Sequence, residues 1–335
     1  MIEIASILIV RLSSMGDIIH TIPAFSALRN QFPRARIDWL VDKRFRDILE
    51  MVDGIDNVVW LEISSPTGVI RQLRSTRYDI VVDFQGLLKS AILARMTGAA
   101  RVLGFSSSHV REQPAAMFYT HVHAPEEYGH VIFKNLSLVG TLAPRDATVH
   151  FPWKNGVLTQ GSPGGGGEYM VLVPGGSWKH KRWGAEFYGE LAAMIKDQYN
   201  IRSVLIHGNP DEQILAERAA AASRGAAAVS PRIPVPGLLA LVRGASVVVG
   251  GDTGPLHVAA AVGTPVVGLL GPTNPRRNGP WSDQDRVVSR HDECECKYRR
   301  RCIRKRPCIL DIDVGDVVKA VNSRLLEATE RERKA

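Results

Sequence analysis

Short apolar runs alternate along the chain with longer stretches in which apolar residues recur at helical spacing. Ser6–Val10 and Tyr169–Val173 are apolar at nearly every position, as in strands that are buried on both faces of a parallel sheet. Asp17–Asn30 and Ala185–Tyr199 have the spacing of helices that pack against such a sheet. The pattern predicts repeated βαβ units and therefore an α/β fold with parallel sheets.

The alternation is interrupted once, by the glycine-rich segment Gly161–Gly167, and then begins again. Such a segment is typical of a flexible linker, and a chain of 335 residues is long for one domain. We therefore expect two similar α/β domains, residues 1–160 and residues 168–335. Because ligands bind at the carboxyl ends of strands in open α/β sheets, we expect the active site in a cleft that both sheets face.

The most informative stretch is SVVVGGDTGPLHVAAAVGTPVVGLLGPT, residues 246–273. It predicts a buried strand at Ser246–Gly250, a glycine turn, a helix and a second strand at Pro265–Leu270. The N–H groups and the positive end of such a helix can hold a phosphate. A tight turn without a ligand is the alternative. The turn is Gly251–Gly254, and its polar residues Asp252 and Thr253, with His257 one turn into the helix, favour a ligand site.

Asp17 follows the turn SSMG after the first predicted strand. It can act as a general base, although a helix N-terminus favours the ionised carboxylate and so makes the base weak. A weak base suits a reaction in which the leaving group departs early and the attacking hydroxyl loses its proton late. A helix cap is the alternative role for this aspartate.

Two further candidates for nucleotide binding lie in the second half. Lys179 and Lys181, in the segment SWKHKRW, can neutralise a diphosphate leaving group or be surface residues that pack on tryptophans. Glu212 can accept hydrogen bonds from ribose hydroxyls or cap a helix. We predict Asp211 to be the N-cap of that helix.

Composition is that of a soluble globular protein, with 45% hydrophobic and 23% charged residues. No apolar run approaches the roughly 18 residues that cross a bilayer, and Met1–Val10 indicates a first strand rather than a signal peptide, so we expect a cytoplasmic protein. Seven basic residues between Lys297 and Arg306 account for most of the net charge of +8. They favour binding to phosphates of a membrane, a lipid or a nucleic acid, with a solvated loop as the alternative.

All four cysteines lie within fifteen residues, at Cys294, Cys296, Cys302 and Cys308. In a cytoplasmic protein such a group favours a structural Zn or Fe site over disulfides, and reduced free thiols are the third possibility. The spacing is not that of a standard zinc ribbon. A metal finger with the neighbouring basic run would also suit a nucleic-acid-binding protein, but two whole α/β domains would then be unexplained.

Signatures of NAD oxidoreductases, P-loop hydrolases, zinc peptidases and serine hydrolases are missing. The sequence resembles instead the family 9 glycosyltransferases, specifically the heptosyltransferases that use ADP-heptose. The matching stretches are RLSSMGDIIHTIPA, DFQGLLKSA, VREQPAAMFY, GNPDE and GGDTGPLHVAAAVGTPVVGLLGPT, spread from residue 11 to residue 273. SSMGD followed by DTGPLH is more specific than either motif alone. The first four stretches look most like the type I enzymes, which add the first heptose to the Kdo residues of the lipopolysaccharide inner core.

The resemblance implies a GT-B fold of two Rossmann-like domains, with the acceptor domain N-terminal and the ADP-sugar domain C-terminal. It implies inverting transfer from ADP-heptose to Kdo-lipid A without a catalytic metal or other cofactor, and with Asp17 as the base. By motif position, the donor would be held by Ser177, Lys181, Glu212, Asp252, Thr253, Gly254 and His257. The anionic acceptor would be faced by Arg11, Ser14, Gln85, Lys89, Arg111 and His130.

A lipid acceptor implies peripheral association with the cytoplasmic face of the inner membrane, and no nucleic-acid partner is expected. The cysteine group departs from the type I enzymes. Related heptosyltransferases that modify autotransporter proteins carry iron-bound cysteines, so a protein acceptor, or another nucleotide sugar, is the alternative within the family.

Overall fold

The computed structural model describes residues 4–61, 66–126, 129–142, 148–156, 167–297, 299 and 301–332. The chain divides into two compact units, Met1–Asn155 (unit 1) and Gly156–Ala335 (unit 2). Each unit is built on one six-stranded parallel sheet, which confirms the predicted α/β class. Residues 161–166, most of the predicted linker, lie outside the described residues. In the part of the chain that is described, no helix is long and apolar enough to cross a membrane.

Unit 1 alternates strands with helices. Its strands are β1 (Ser6–Val10), β2 (Arg36–Asp42), β3 (Asn57–Leu61), β4 (Ile80–Asp83), β5 (Arg101–Phe105) and β6 (His121–His123). Its α-helices are α1 (Met15–Ile19), α2 (Ile22–Gln31), α3 (Arg46–Glu50), α4 (Pro66–Thr76), α5 (Leu88–Met96) and α6 (Val131–Val139). Short 3-10 helices lie at Lys43–Phe45 and Gln113–Phe118.

Unit 2 repeats this alternation. Its strands are β7 (Tyr169–Val173), β8 (Arg202–Leu205), β9 (Ala227–Val229), β10 (Val247–Gly250), β11 (Val266–Leu270) and β12 (Arg286–Ser289). Its α-helices are α7 (Ala185–Tyr199), α8 (Pro210–Ala222), α9 (Val235–Arg243), α10 (Gly254–Ala261), α11 (Pro275–Asn278) and α12 (Val314–Glu332). Short 3-10 helices lie at Lys179–Lys181 and Cys308–Asp311.

The two sheets have the same strand order. In unit 1 it is β3-β2-β1-β4-β5-β6, and in unit 2 it is β9-β8-β7-β10-β11-β12. This is the Rossmann order, in which the direction of winding reverses between the first and the fourth strand of the unit. Ligands of such folds bind beside that switch point, at the carboxyl ends of the strands. The loops after β1 and β4, and those after β7 and β10, are therefore the candidate sites.

The sheet of unit 2 is anchored by β-branched and aliphatic residues on both faces. Met170 and Leu172 of β7 and Val249 of β10 are fully buried in the cluster formed with α7, α8 and α12. Val171 and Val248 have the opposite orientation and are also fully buried. Because each buried aliphatic side chain contributes roughly 1.5–3 kcal/mol, the central strands are firmly held and the loops at their ends are rigidly supported.

The helix predicted at Asp17–Asn30 is divided into α1 and α2. The break lies at His20 and Thr21, where the Thr21 hydroxyl donates to the Asp17 carbonyl oxygen at 2.8 Å. Pro23 follows in the first turn of α2, a position that tolerates its missing N–H. The single-helix prediction was therefore wrong, because the apolar spacing continues through a backbone break.

The N-cap of α8 is Asn209, and the prediction of Asp211 was wrong. The Asn209 side chain accepts a hydrogen bond from the N–H of Glu212 at 3.0 Å. Pro210 occupies the first helical position, where its fixed φ suits a helix start. Asp211 therefore already lies within the first turn.

Candidate active site

Asp17 lies just beyond the carboxyl end of β1, in the first turn of α1. Its Oδ2 accepts hydrogen bonds from the backbone N–H of Ser14 at 3.1 Å and from the Ser14 hydroxyl at 2.9 Å. Its Oδ1 lies 2.7 Å from Nη2 of Arg11, whose side chain is buried. The Asp17 side chain is nevertheless 36% exposed. The aspartate thus closes a capping box with Ser14 and also presents a fixed carboxylate to solvent.

The loop after β4 is joined to this loop by Gln85. Its side-chain oxygen accepts hydrogen bonds from the N–H groups of Leu12, at 2.9 Å, and Ser13, at 3.1 Å. Arg11 also donates a hydrogen bond to the carbonyl oxygen of Phe84. Three of the expected acceptor residues, Arg11, Ser14 and Gln85, therefore gather around Asp17 at the switch point of unit 1.

Sequence reasoning missed Asp83, whose hydrogen bonds hold the loop that contains Gln85. Its fully buried carboxylate accepts hydrogen bonds from Gln85 N at 2.7 Å, Ser90 Oγ at 2.8 Å and the Tyr119 hydroxyl at 2.8 Å. Burial raises the pKa of Asp83, although the hydrogen bonds from Ser90 and Tyr119 oppose the shift. The only sequence signal was an acid at the end of the apolar run IVVD.

The remaining expected acceptor residues differ in their exposure to solvent. Lys89, in the first turn of α5, and Arg111, just before a 3-10 helix, are both exposed. His130 is buried and is the N-cap of α6, where its Nδ1 accepts the N–H of Ile132 at 3.2 Å. Its ring packs edge-on against His20 with a centroid distance of 5.2 Å. His130 therefore has a structural role in helix α6.

Asp252 is the centre of the corresponding arrangement in unit 2. Its Oδ2 lies 2.7 Å from Nζ of Lys181 and accepts a hydrogen bond from the Thr273 hydroxyl at 2.9 Å. Its Oδ1 lies 3.1 Å from Nε2 of His257. Burial alone would raise the pKa of Asp252, but the hydrogen bond with His257 and the charge of Lys181 outweigh it, so the pKa is lowered. An ionised carboxylate therefore holds the lysine at the carboxyl end of β10.

Glu212 connects the loops that follow β7 and β8. Its carboxylate accepts hydrogen bonds from the N–H of Gly176 at 3.1 Å and from the N–H of Gly208 at 2.9 Å. A Cβ atom at Gly175 would lie 2.6 Å from Cδ of Glu212 and would displace its carboxylate, and Gly176 has a φ of +151°, which favours glycine. The ribose role expected for Glu212 stays a prediction.

The other expected donor residues line the same edge of unit 2. Thr253 is the N-cap of α10, which begins at Gly254, and its hydroxyl donates to the Gly251 carbonyl oxygen at 3.3 Å. Ser177 is exposed in the loop after β7. The donor residues predicted from the sequence therefore lie on the loops that follow β7, β8 and β10 or in the helices that these loops lead into, at the switch point or beside it.

Comparisons with known proteins identify the family of the chain. Residues 67–307 match glycosyltransferase family 9 (heptosyltransferase). The chain belongs to this family. It is 31% identical to lipopolysaccharide heptosyltransferase 1 of Pseudomonas aeruginosa over 320 residues, which cover 88% of this chain and 87% of the relative. It is 30% identical to heptosyltransferase 1 of Escherichia coli K12, over 84% of this chain and 92% of that one.

A solved structure of E. coli heptosyltransferase WaaC with ADP superposes with a TM-score of 0.76 and 25% identity, covering 96% of this chain and 99% of that one. The same enzyme has been solved with ADP-2-deoxy-2-fluoro heptose and matches with a TM-score of 0.74 and 28% identity, covering 84% of this chain and 92% of that one. The family and the GT-B fold that the resemblance implied are thereby confirmed, and the protein is a glycosyltransferase.

The cysteines of this transferase lie together in unit 2 as four free thiols, three of them buried. The sulfur atoms of Cys296 and Cys302 are 3.4 Å apart. Burial raises the pKa of the Cys308 thiol to about 12. Among the described residues, no group of three or more His, Cys, Asp or Glu side chains could hold a metal ion. The zinc or iron site expected at Cys294, Cys296, Cys302 and Cys308 is therefore not supported.

The basic run from Lys297 to Arg306 is partly neutralised by one acid. Nη2 of Arg304 lies 2.8 Å from Oδ2 of Asp311, and Nε of Arg306 lies 3.3 Å from its Oδ1. Arg300 lies outside the described residues. Fewer charges of this run are therefore available to an external phosphate than the sequence alone suggests.

Proposed function

We propose that the enzyme transfers a heptose from ADP-heptose to a Kdo-lipid A acceptor of the lipopolysaccharide inner core, with inversion and without a catalytic metal. The observation that carries the proposal is that the two equivalent switch points present different charged side chains. Unit 1 presents an aspartate that is fixed by Arg11 and Ser14. Unit 2 presents a lysine among glycine loops, beside the N-terminus of α10.

In this proposal unit 2 holds the ADP moiety. Lys181 and the N-terminus of α10 neutralise the diphosphate, whose negative charge grows as the bond to the sugar breaks. Asp252 keeps the lysine in place through their 2.7 Å contact, and His257 and Thr273 orient Asp252 in turn. Glu212, in the first turn of α8, accepts hydrogen bonds from the ribose hydroxyls.

Unit 1 supplies the base and the acceptor site. The oxygen of an acceptor hydroxyl forms a bond to the anomeric carbon of the heptose, and the bond from that carbon to the diphosphate oxygen breaks. ADP leaves with the electron pair, and Asp17 takes the proton of the hydroxyl. Arg11, Lys89 and Arg111 attract the carboxylates and phosphates of an anionic acceptor.

A lipid acceptor places this reaction at the cytoplasmic face of the inner membrane, with the enzyme bound peripherally. The test is to incubate the purified protein with ADP-heptose and Kdo-lipid A and to weigh the products by mass spectrometry. A lipid product heavier by one heptose supports the proposal. Release of ADP with transfer only to an autotransporter protein would contradict the proposed acceptor. Use of another nucleotide sugar alone would contradict the proposed donor. A stoichiometric Zn or Fe found by elemental analysis would reinstate the metal hypothesis for the cysteines.

A further inference from the structure

We propose that an exposed face of unit 1, formed by α5 and the 3-10 helix Gln113–Phe118, docks on an anionic lipid bilayer. We call it the α5 face and define it by Lys89, Ile92, Arg95, Arg111 and Met117. The inference goes beyond the proposed chemistry, and it rests on the proposed function only in so far as the acceptor is a lipid.

The apolar part of this face is exposed for a geometric reason. The 3-10 helix packs against α5, and Ala115 is fully buried in the core that also contains Ala91 and Ala94 of α5. Since residues three apart in a 3-10 helix share one side, Ala115 and Phe118 both face this core, while Met117 between them lies on another side. Met117 is accordingly 81% exposed, the largest value among the large hydrophobic residues that the structure describes, and Ile92 is 39% exposed.

Cations surround these apolar side chains. Lys89, Ile92 and Arg95 follow one another at intervals of three residues, so they share the outer side of α5. In the described part of the chain, Lys89, Arg95 and Arg111 have no hydrogen bond or ion pair from their side chains. The acid beside them, Glu112, is engaged with the N–H of Leu88 at 2.7 Å.

This combination fits a membrane surface better than a protein partner. Two apolar side chains fall well short of the roughly 1,000 Å² that a specific protein interface buries. A bilayer requires no matching shape, because apolar side chains enter the boundary between headgroups and acyl chains while cations pair with anionic headgroups. The α5 face also adjoins the loop after β4, since the N–H of Glu112 donates to the Gly86 carbonyl oxygen at 3.2 Å. Docking there would bring the loop of Gln85 close to lipid headgroups.

The test is co-flotation of the full chain with vesicles of equal parts phosphatidylglycerol and phosphatidylcholine, compared with vesicles of phosphatidylcholine alone. Met117→Glu is expected to reduce the vesicle-bound fraction about tenfold on anionic vesicles, because it places a charge where an apolar group enters the bilayer. Arg95→Gln is expected to reduce it about fivefold on anionic vesicles and hardly at all on neutral ones. The matched control is Leu326→Glu, which changes a residue of α12 in unit 2 that is 59% exposed.

The proposal is overturned if Met117→Glu binds vesicles like the parent, or if Leu326→Glu loses as much binding. It is also overturned if Met117→Glu instead dissociates an oligomer of the parent protein, as detected by analytical ultracentrifugation, since the face would then bind a second copy of the chain. Unchanged melting temperatures show that each variant folds. Activity on a water-soluble, deacylated acceptor separates the two proposals: a parent that binds vesicles through Met117 but transfers no heptose contradicts only the proposed function.

Discussion

Replacing Asp17 by asparagine tests the assignment of the base. The change keeps the size of the side chain, and the amide oxygen can still accept the two hydrogen bonds from Ser14. It removes the proton acceptor and the ion pair with Arg11. Because general-base catalysis is typically worth about 10² to 10⁴ in rate, kcat should fall by that factor, equivalent to about 2.7–5.5 kcal/mol in the barrier.

The structural effect of the same substitution is much smaller. The Asp17 side chain is about one-third exposed, so solvent screens the ion pair and its loss costs about 1 kcal/mol or less. For a unit of this size that lowers the melting temperature by a few degrees, about 2–4 °C per kcal/mol. A loss of activity through unfolding is thereby distinguishable from a loss of the base.

The assay measures kcat with ADP-heptose and Kdo-lipid A, and ADP affinity by calorimetry. Asp47→Asn is the matched control, since it removes an exposed acid from the first turn of another helix in unit 1. ADP affinity should be unchanged in both variants, because the proposed ADP site lies in unit 2. Near-normal kcat with weakened ADP affinity in Asp17→Asn would refute the assignment and put Asp17 in the donor site, and a large fall in melting temperature would make it a structural cap.

Three further outcomes are expected. Lys181→Ala should weaken ADP binding by calorimetry roughly 10- to 100-fold, as for other charged hydrogen bonds, while the exposed neighbour Lys179→Ala should change it little. The ionised Asp252 stabilises the fold above the unfolded pKa of about 3.9, and this effect is lost only as the pH falls through its lowered folded pKa. In urea titrations, the difference in unfolding free energy between the parent and Asp252→Asn should therefore be constant from about pH 7 to 5 and should shrink below about pH 4. Tyr119→Phe removes a donor from buried Asp83 and should cost about 1–3 kcal/mol of unfolding free energy in the same titration.

The central strands could be predicted because they consist of continuous runs of aliphatic residues, which indicate burial. β7 was predicted at its observed limits and β10 within one residue, since runs of buried aliphatic residues have few alternatives. β6, β9 and β12 were not predicted from the sequence. They are short and partly exposed, and a strand such as β6, with the sequence HVH, has no apolar run to detect.

The loops of the candidate site could be predicted, but not the contacts that hold them. Glycine turns after strands indicated where Asp17 and Asp252 lie. No local pattern could show that Asp252 would bond to Thr273, 21 residues away, or that Asp83 would bond to Tyr119, 36 residues away. Such partners are fixed by the sheet order, which brings distant loops to one edge.

The repeated topology has a consequence for how the specificity of such enzymes can change. Each unit has its own sheet, its own core and its own switch point, so substitutions in the loops of one unit need not disturb the packing of the other. Under the proposed division, in which unit 1 binds the acceptor and unit 2 binds the donor, the choice of sugar donor and the choice of acceptor can therefore diverge as separate traits. Chimeras that join unit 2 of this chain to the first unit of a relative would be expected to inherit the donor of one parent and the acceptor of the other.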